Sequence, residues 1–217
     1  MPGRAVRLGS DSGYFWFFDP TNPEIFVKVL DACVAPFERY WVFAAGLTDV
    51  ETRLTVVDSA TWKDSALSYY WMGAIDYLRR LHHKERLYWF LIVSGYRTYR
   101  FLPVYSKTFF PRHDCETPSD VQAIMDTVAS ARFGDNYDAA TGIVRLDHPA
   151  LLKGRFRGIP DNRMQDPHIA FFARRNPGHE AGDELVCFAI LAEDELTRLG
   201  RRMWQKGRKL FPDVEPA

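Results

Sequence analysis

The chain has 217 residues, with 28 Lys+Arg balanced by 28 Asp+Glu, and it is 47% hydrophobic and 15% aromatic. Zero net charge counts against a histone-like or polybasic nucleic-acid binder, and the aromatic content excludes a disordered tail. No apolar run reaches the roughly 18 residues of a membrane span, and Cys33, Cys115 and Cys187 are too few and too far apart for a disulfide framework.

At about 150 residues per domain, this length gives one or two domains. The first residues carry Arg4 and Arg7, and no apolar stretch of about 7–15 residues follows before Asp11, which points away from a secretory leader and toward the cytoplasm. Residues 13–58 read as strands. Tyr14–Phe18 is apolar on both faces and stopped by Asp19-Pro20; Ile25–Leu30 and Tyr40–Ala45 follow. In 50–57, Val50, Thr52, Leu54 and Val56 alternate with Glu51, Arg53 and Thr55, the period of a half-buried strand. Near residue 60 the texture changes. Asp64 caps an expected helix to about Lys84, with Leu67, Tyr70, Trp71, Ala74, Ile75, Leu78 and Leu81 on one stripe. Leu87–Val93 is a buried strand closed by Ser94-Gly95, and Tyr96–Arg112 fits helix or strand equally. Thr117-Pro118-Ser119-Asp120 opens a helix carrying Val121, Ile124, Met125, Val128 and Ala129, which ends by Gly134. Asp138–Leu146 gives a turn and strand, 149–167 a loop, Leu185–Leu191 another buried strand, and Glu193 to about Lys209 a last helix.

The fold class is therefore α+β: an antiparallel β-meander over 1–60, then an α/β segment over 61–217 with a mixed sheet flanked by helices. The first stretch holds 5 basic and 8 acidic residues and the second 23 and 20, so charge changes sign at the same border, near Ala60–Lys63. No Pro/Gly/Ser linker marks that border.

The richest candidate site is Ser94–Arg112, which has four basic residues and no acid. A small-residue turn at Ser94-Gly95 after a buried strand can offer backbone N–H groups to a phosphate, and Arg97 and Arg100 share a face if the segment is helical. The same residues fit a surface turn with arginines lying over buried aromatics. His113-Asp114-Cys115-Glu116 packs four potential ligands into adjacent positions, which cannot all face one metal, so no metal site is expected. Asp147-His148 and Asp166-Pro167-His168 each set a carboxylate near an imidazole, as a general base needs and as ordinary turns and caps also do. Cys187, mid-strand, reads as an inert small hydrophobe. The last helix carries Arg198, Arg201, Arg202, Lys206, Arg208 and Lys209 with Leu196, Leu199, Met203 and Trp204 between them. It is either a solvated face, the better reading, or a surface for an acidic partner or nucleic acid.

Two stretches carry a resemblance. Gly9–Gly13, Phe15–Pro20, Val27–Asp31, Tyr40–Ala45 and Leu54–Val56 resemble a β-rich module found near the ends of secreted bacterial proteins, a module of no known activity. Tyr88–Pro103, Tyr137–Gly142, Asn176–Gly178 and Gly182–Leu185 resemble uncharacterised bacterial proteins associated with the GNAT acyltransferase superfamily. Gly73 stands alone where that superfamily's glycine-bearing pyrophosphate loop would fall. The second resemblance implies a degenerate acyltransferase-like or acyl-CoA-binding domain with acetyl-CoA as cofactor. Ser94, Gly95, Arg97 and Arg100 would then meet its phosphates, and Tyr99 or Tyr105 would supply the acid for the departing thiol. The alternative is a non-catalytic interaction protein that meets a protein partner, or a second copy of itself, through a sheet edge or through the basic last helix.

Overall fold

A computed structural model describes residues 34–37, 40–44, 66–81, 87–149, 151–152 and 157–211. The strands expected at 14–18, 25–30 and 50–57, and the border at 60–63, lie outside the described residues. The class is α+β. The chain divides into two compact units, residues 1–89 with 190–217, and residues 90–189.

In the first unit, β1 (Val34–Phe37) and β2 (Tyr40–Ala44) pair antiparallel, with Val34 opposite Phe43 and Phe37 opposite Tyr40. Strand β3 (Leu87–Val93) begins here and lies next to β2. Helix α1 (Ala66–Leu81) realises most of the stretch expected to be helical. Among its described residues Met72, Gly73, Ile75 and Asp76 are buried, so a carboxylate lies within the apolar face. The C-terminal helix starts later than its pattern suggests. Glu193–Glu195 form a 3₁₀ turn, and the helix proper, α6, runs Arg198–Arg208. Thr197 accounts for the shift: its side-chain oxygen accepts from the Gly200 amide at 3.0 Å, a cap that Glu193 does not provide.

In the second unit, β3 leads into two short helices, α2 (Tyr96–Tyr99) and α3 (Phe101–Tyr105), and then the two-residue strand β4 (Phe109–Phe110). The ambiguous Tyr96–Arg112 stretch is thus mostly helical, with one strand pair at its end. Helix α4 (Ser119–Phe133) begins one residue after the expected Pro118, whose carbonyl accepts from the Gln122 amide at 2.8 Å. It buries Met125, Val128 and Ala129 and stops at Gly134, where φ is +51°. Where a turn and one strand were expected over Asp138–Leu146, β5 (Tyr137–Asp138) and β6 (Ile143–Val144) pair antiparallel as a hairpin. Helix α5 (Pro167–Arg175) begins at the end of the stretch read as loop, 149–167, and covers residues that carried no predicted element. Strand β7 (Glu184–Leu191) then pairs antiparallel with β6, Ile143 opposite Leu185, and with β4, Phe109 opposite Ala189. β3 is its other neighbour. Phe90, Tyr99, Leu102, Phe109, Phe172 and Phe188 are all essentially buried around this sheet. Each contributes about 1.5–3 kcal/mol by leaving water, which makes the aromatics the main source of cohesion here.

Candidate functional site

The basic helix α6 owes its position to a glycine pair. A Cβ placed on Gly73 of α1 would lie 2.5 Å from the Gly207 carbonyl oxygen, and one on Gly207 would lie 2.6 Å from the Gly73 nitrogen. The two backbones therefore touch, and only hydrogen side chains fit between them. Gly73, solitary in the sequence, is the crossing point of a helix pair.

Beside the crossing, the Asp76 carboxylate is wholly buried. Arg79 reaches Oδ1 at 3.1 Å and Arg80 reaches Oδ2 at 2.9 Å, with Arg208 Nε of α6 3.5 Å from Oδ2. One buried carboxylate thus ties three guanidinium groups of two helices, which a carboxylate tolerates because it is charge-compensated on both oxygens. The Arg79 guanidinium also sits 5.8 Å from the ring centre of the buried Trp204. These contacts fix the rotation of α6. Gly200, Met203, Trp204 and Gly207 face inward. Arg198, Leu199, Arg201, Arg202, Gln205, Lys206, Arg208 and Lys209 face water.

The outward cations are not equivalent. Lys206 lies 3.7 Å from the Tyr69 ring centre, and Arg208 leans toward Asp76. Arg198, Arg201, Arg202 and Lys209 have no acidic partner among the described residues. Leu199 and Leu210 stand among them, 41% and 37% exposed. At about 1.5 Å rise per residue, the row from Arg198 to Lys209 extends along roughly 16 Å of helix.

The second unit holds the residues that the sequence singled out. Tyr99 is fully buried, and its hydroxyl donates to the Pro111 carbonyl at 2.8 Å. Phe109, Phe171 and Phe172 surround its ring at 5.5–6.3 Å. Burial drives its phenol pKa far above the ordinary range, so its proton stays on. Tyr105 is half-buried and stacks on the exposed Phe101 at 5.9 Å. Arg97 is exposed and lies over the Tyr96 ring at 4.6 Å, whereas Arg100 forms an ion pair with Asp166, the capping residue of α5. Ser94 is half-buried and Gly95 is buried, with Leu152 packed where a Cβ would stand. Tyr99, Arg97 and Arg100 therefore each contact a different partner.

A polar cluster surrounds the end of that stretch. Arg112 donates to both carboxylate oxygens of Asp114, at 2.5 and 2.6 Å, and to the Lys107 carbonyl at 2.8 Å. Those hydrogen bonds hold the Asp114 carboxyl at about 2, well below its usual value. The His168 ring meets His113 edge to face at 4.5 Å. Farther on, the buried Asn176 donates from Nδ2 to the carbonyls of Val93 and Asp183, at 3.3 and 2.8 Å, and so ties the end of β3 to the start of β7. Cys187 is buried, and burial raises its thiol pKa, which makes it inert. Asp147 and His148 are exposed. Among the described residues no group of three or more His, Cys, Asp or Glu side chains could hold a metal, and no helix is long and apolar enough to cross a membrane.

Three features were not anticipated from sequence: the Asp76 clamp, the Gly73–Gly207 crossing and the Arg100–Asp166 pair. The first had a signal, an acid lying inside an apolar helical stripe one turn before Arg79-Arg80. The third had one in the Asp166-Pro167 cap signature.

Comparison with known proteins finds no matching family model, no matching curated protein and no matching solved structure.

Proposed function

We propose that this chain is a non-catalytic interaction protein and that the outward face of α6 binds an acidic segment of another protein. The observation that carries the reading is the row Arg198, Arg201, Arg202 and Lys209, exposed and without acidic partners among the described residues, on a helix whose rotation is fixed by the Asp76 clamp and the glycine crossing. Cations left in water along one rigid face keep their attraction for an incoming anion, and complementary charge speeds encounter and sets register. Exposed Leu199 and Leu210 add apolar surface within the same face, as interface cores require. The second unit supports the same reading, because Tyr99 is a buried strut there and Arg100 is already neutralised by Asp166.

The test is binding of a fluorescein-labelled oligoglutamate peptide, followed by anisotropy at low and at physiological salt. Wild-type chain should bind and weaken as salt rises. The R198E/R201E/R202E triple variant should not bind. A single-stranded oligonucleotide of equal charge that binds more tightly than the peptide would move the assignment from acidic protein to nucleic acid. Equal binding by wild type and triple variant would remove α6 from the account.

A further inference from the structure

His168 occupies the first turn of α5, directly after Pro167. Its ring lies 5.8 Å from the Phe109 ring and 4.5 Å, edge to face, from the His113 ring. Its Nδ1 is buried and has no hydrogen-bond partner among the described residues. We propose that the His113–His168 pair is an acid-released clasp, which holds the start of α5 against the Phe109–Asp114 segment while the His168 imidazole is neutral and lets go when it protonates.

The charged surroundings decide the direction. Facing His168 are His113, Arg112 and Asp114 from the segment after β4, Arg100 just past α2, and Asp166 at the cap of α5 itself. Both carboxylates are already committed. Asp114 is held bidentately by Arg112; Asp166 pairs with Arg100 and accepts from the backbone amides of His168 and Ile169 at 2.9 and 3.4 Å. An imidazolium at 168 would need an acceptor for a buried Nδ1–H and would find none, and it would sit at the positive end of a helix dipole. Beside it would stand a second histidine and two guanidinium groups. Burial, then His113, already lower the His168 pKa from its ordinary value. The sign follows. The neutral form is the one the closed state prefers, so the closed state is unaffected above the ordinary histidine range of about 6.5 and loses ground as pH falls below it.

What the clasp holds down is the Tyr99 cluster. Phe171 and Phe172 of α5 cover the Tyr99 ring, and Ile169 and Phe172 are buried. Release of α5 exposes these rings and frees Asp166 from Arg100. The opening constant should rise by about tenfold per pH unit between the ordinary value and the lowered one, and level off below it.

The experiment is hydrogen exchange of the α5 amides in the full chain at pH 8, 7, 6 and 5, corrected for the intrinsic pH dependence of exchange, with the α4 amides as internal reference. In wild type, α5 protection should fall between pH 7 and 5 relative to α4. In H168F, which keeps a ring against Phe109 but cannot titrate, α5 protection should not change with pH. Constant protection in wild type, or the same fall in H168F, would overturn the proposal. NMR titration of the His168 imidazole in wild type tests it without any variant: its midpoint should lie below the ordinary range, at the pH where the loss of α5 protection levels off, and a midpoint at or above that range would refute the clasp.

Discussion

Gly207→Ala tests the helix crossing on which the α6 face depends, because two effects of opposite sign compete there. Alanine is the better helix former by about 0.8–1 kcal/mol, so propensity alone predicts stabilisation. Against it stands the geometry. The new Cβ would lie 2.0 Å from the Tyr69 carbonyl oxygen and 2.6 Å from the Gly73 nitrogen, both backbone atoms that cannot rotate away. Ordinary contact would require α1 and α6 to separate by more than about 1 Å, a gap that forfeits at least a quarter to a half of each atomic contact across the seam. Overpacking of this kind costs about 1–3 kcal/mol before the loosened Arg208–Asp76 contact is added. The clash wins, and G207A should be destabilised by about 2 kcal/mol, a fall of roughly 4–8 °C in Tm for a chain of this size. Far-UV circular dichroism during heating reads it directly. The same change at Gly73 should cost a similar amount, and the double variant less than the sum, since the first Cβ has already opened the seam. A G207A chain as stable as wild type, or more stable, would show that the helices do not meet at these glycines.

Asp76→Asn should destabilise by about 3 kcal/mol in urea unfolding, because it strips the buried countercharge from Arg79 and Arg80, whose side chains are only 23% and 13% exposed. Tyr99→Phe should cost about 1–2 kcal/mol, since it removes the hydrogen bond to the Pro111 carbonyl and leaves that acceptor unpaired. The Asp114 carboxyl should titrate at about 2 by NMR and return toward the ordinary carboxylate range in R112A; its pairing contributes above that range and is lost as pH falls through about 2. Thermal shift with CoA or acetyl-CoA should show no stabilisation, whereas a ligand at a hundred times its dissociation constant would add about 2.7 kcal/mol.

Elements with strong local patterns were legible in the sequence. Leu87–Val93 and Leu185–Leu191 are unbroken apolar runs bounded by turn residues, and both are strands. The helix over 119–133 has clear start and stop signals, whereas at 137–144 the turn and second strand were legible and the first strand of the hairpin was not. Helix α5 was harder, because its nine residues include Pro167, His168, Arg174 and Arg175, and only its Asp-Pro cap distinguishes it from loop. The candidate site was legible only as composition. The basic character of 198–209 is plain in the sequence. Which of its cations remain without acidic partners depends on Asp76 and Tyr69, more than a hundred residues away, and no local pattern encodes that. The same holds for Arg100: its neighbours suggest an anion grip, and a carboxylate 66 positions later supplies the anion from within the chain.

The outward face of α6 is the surface proposed to meet a partner. Hydrogen-exchange footprinting of the full chain with and without saturating oligoglutamate peptide tests that most directly. Slowed exchange confined to 198–209 and the residues beside it is the result predicted. Slowed exchange centred on Ser94–Arg112, or none anywhere, would contradict it.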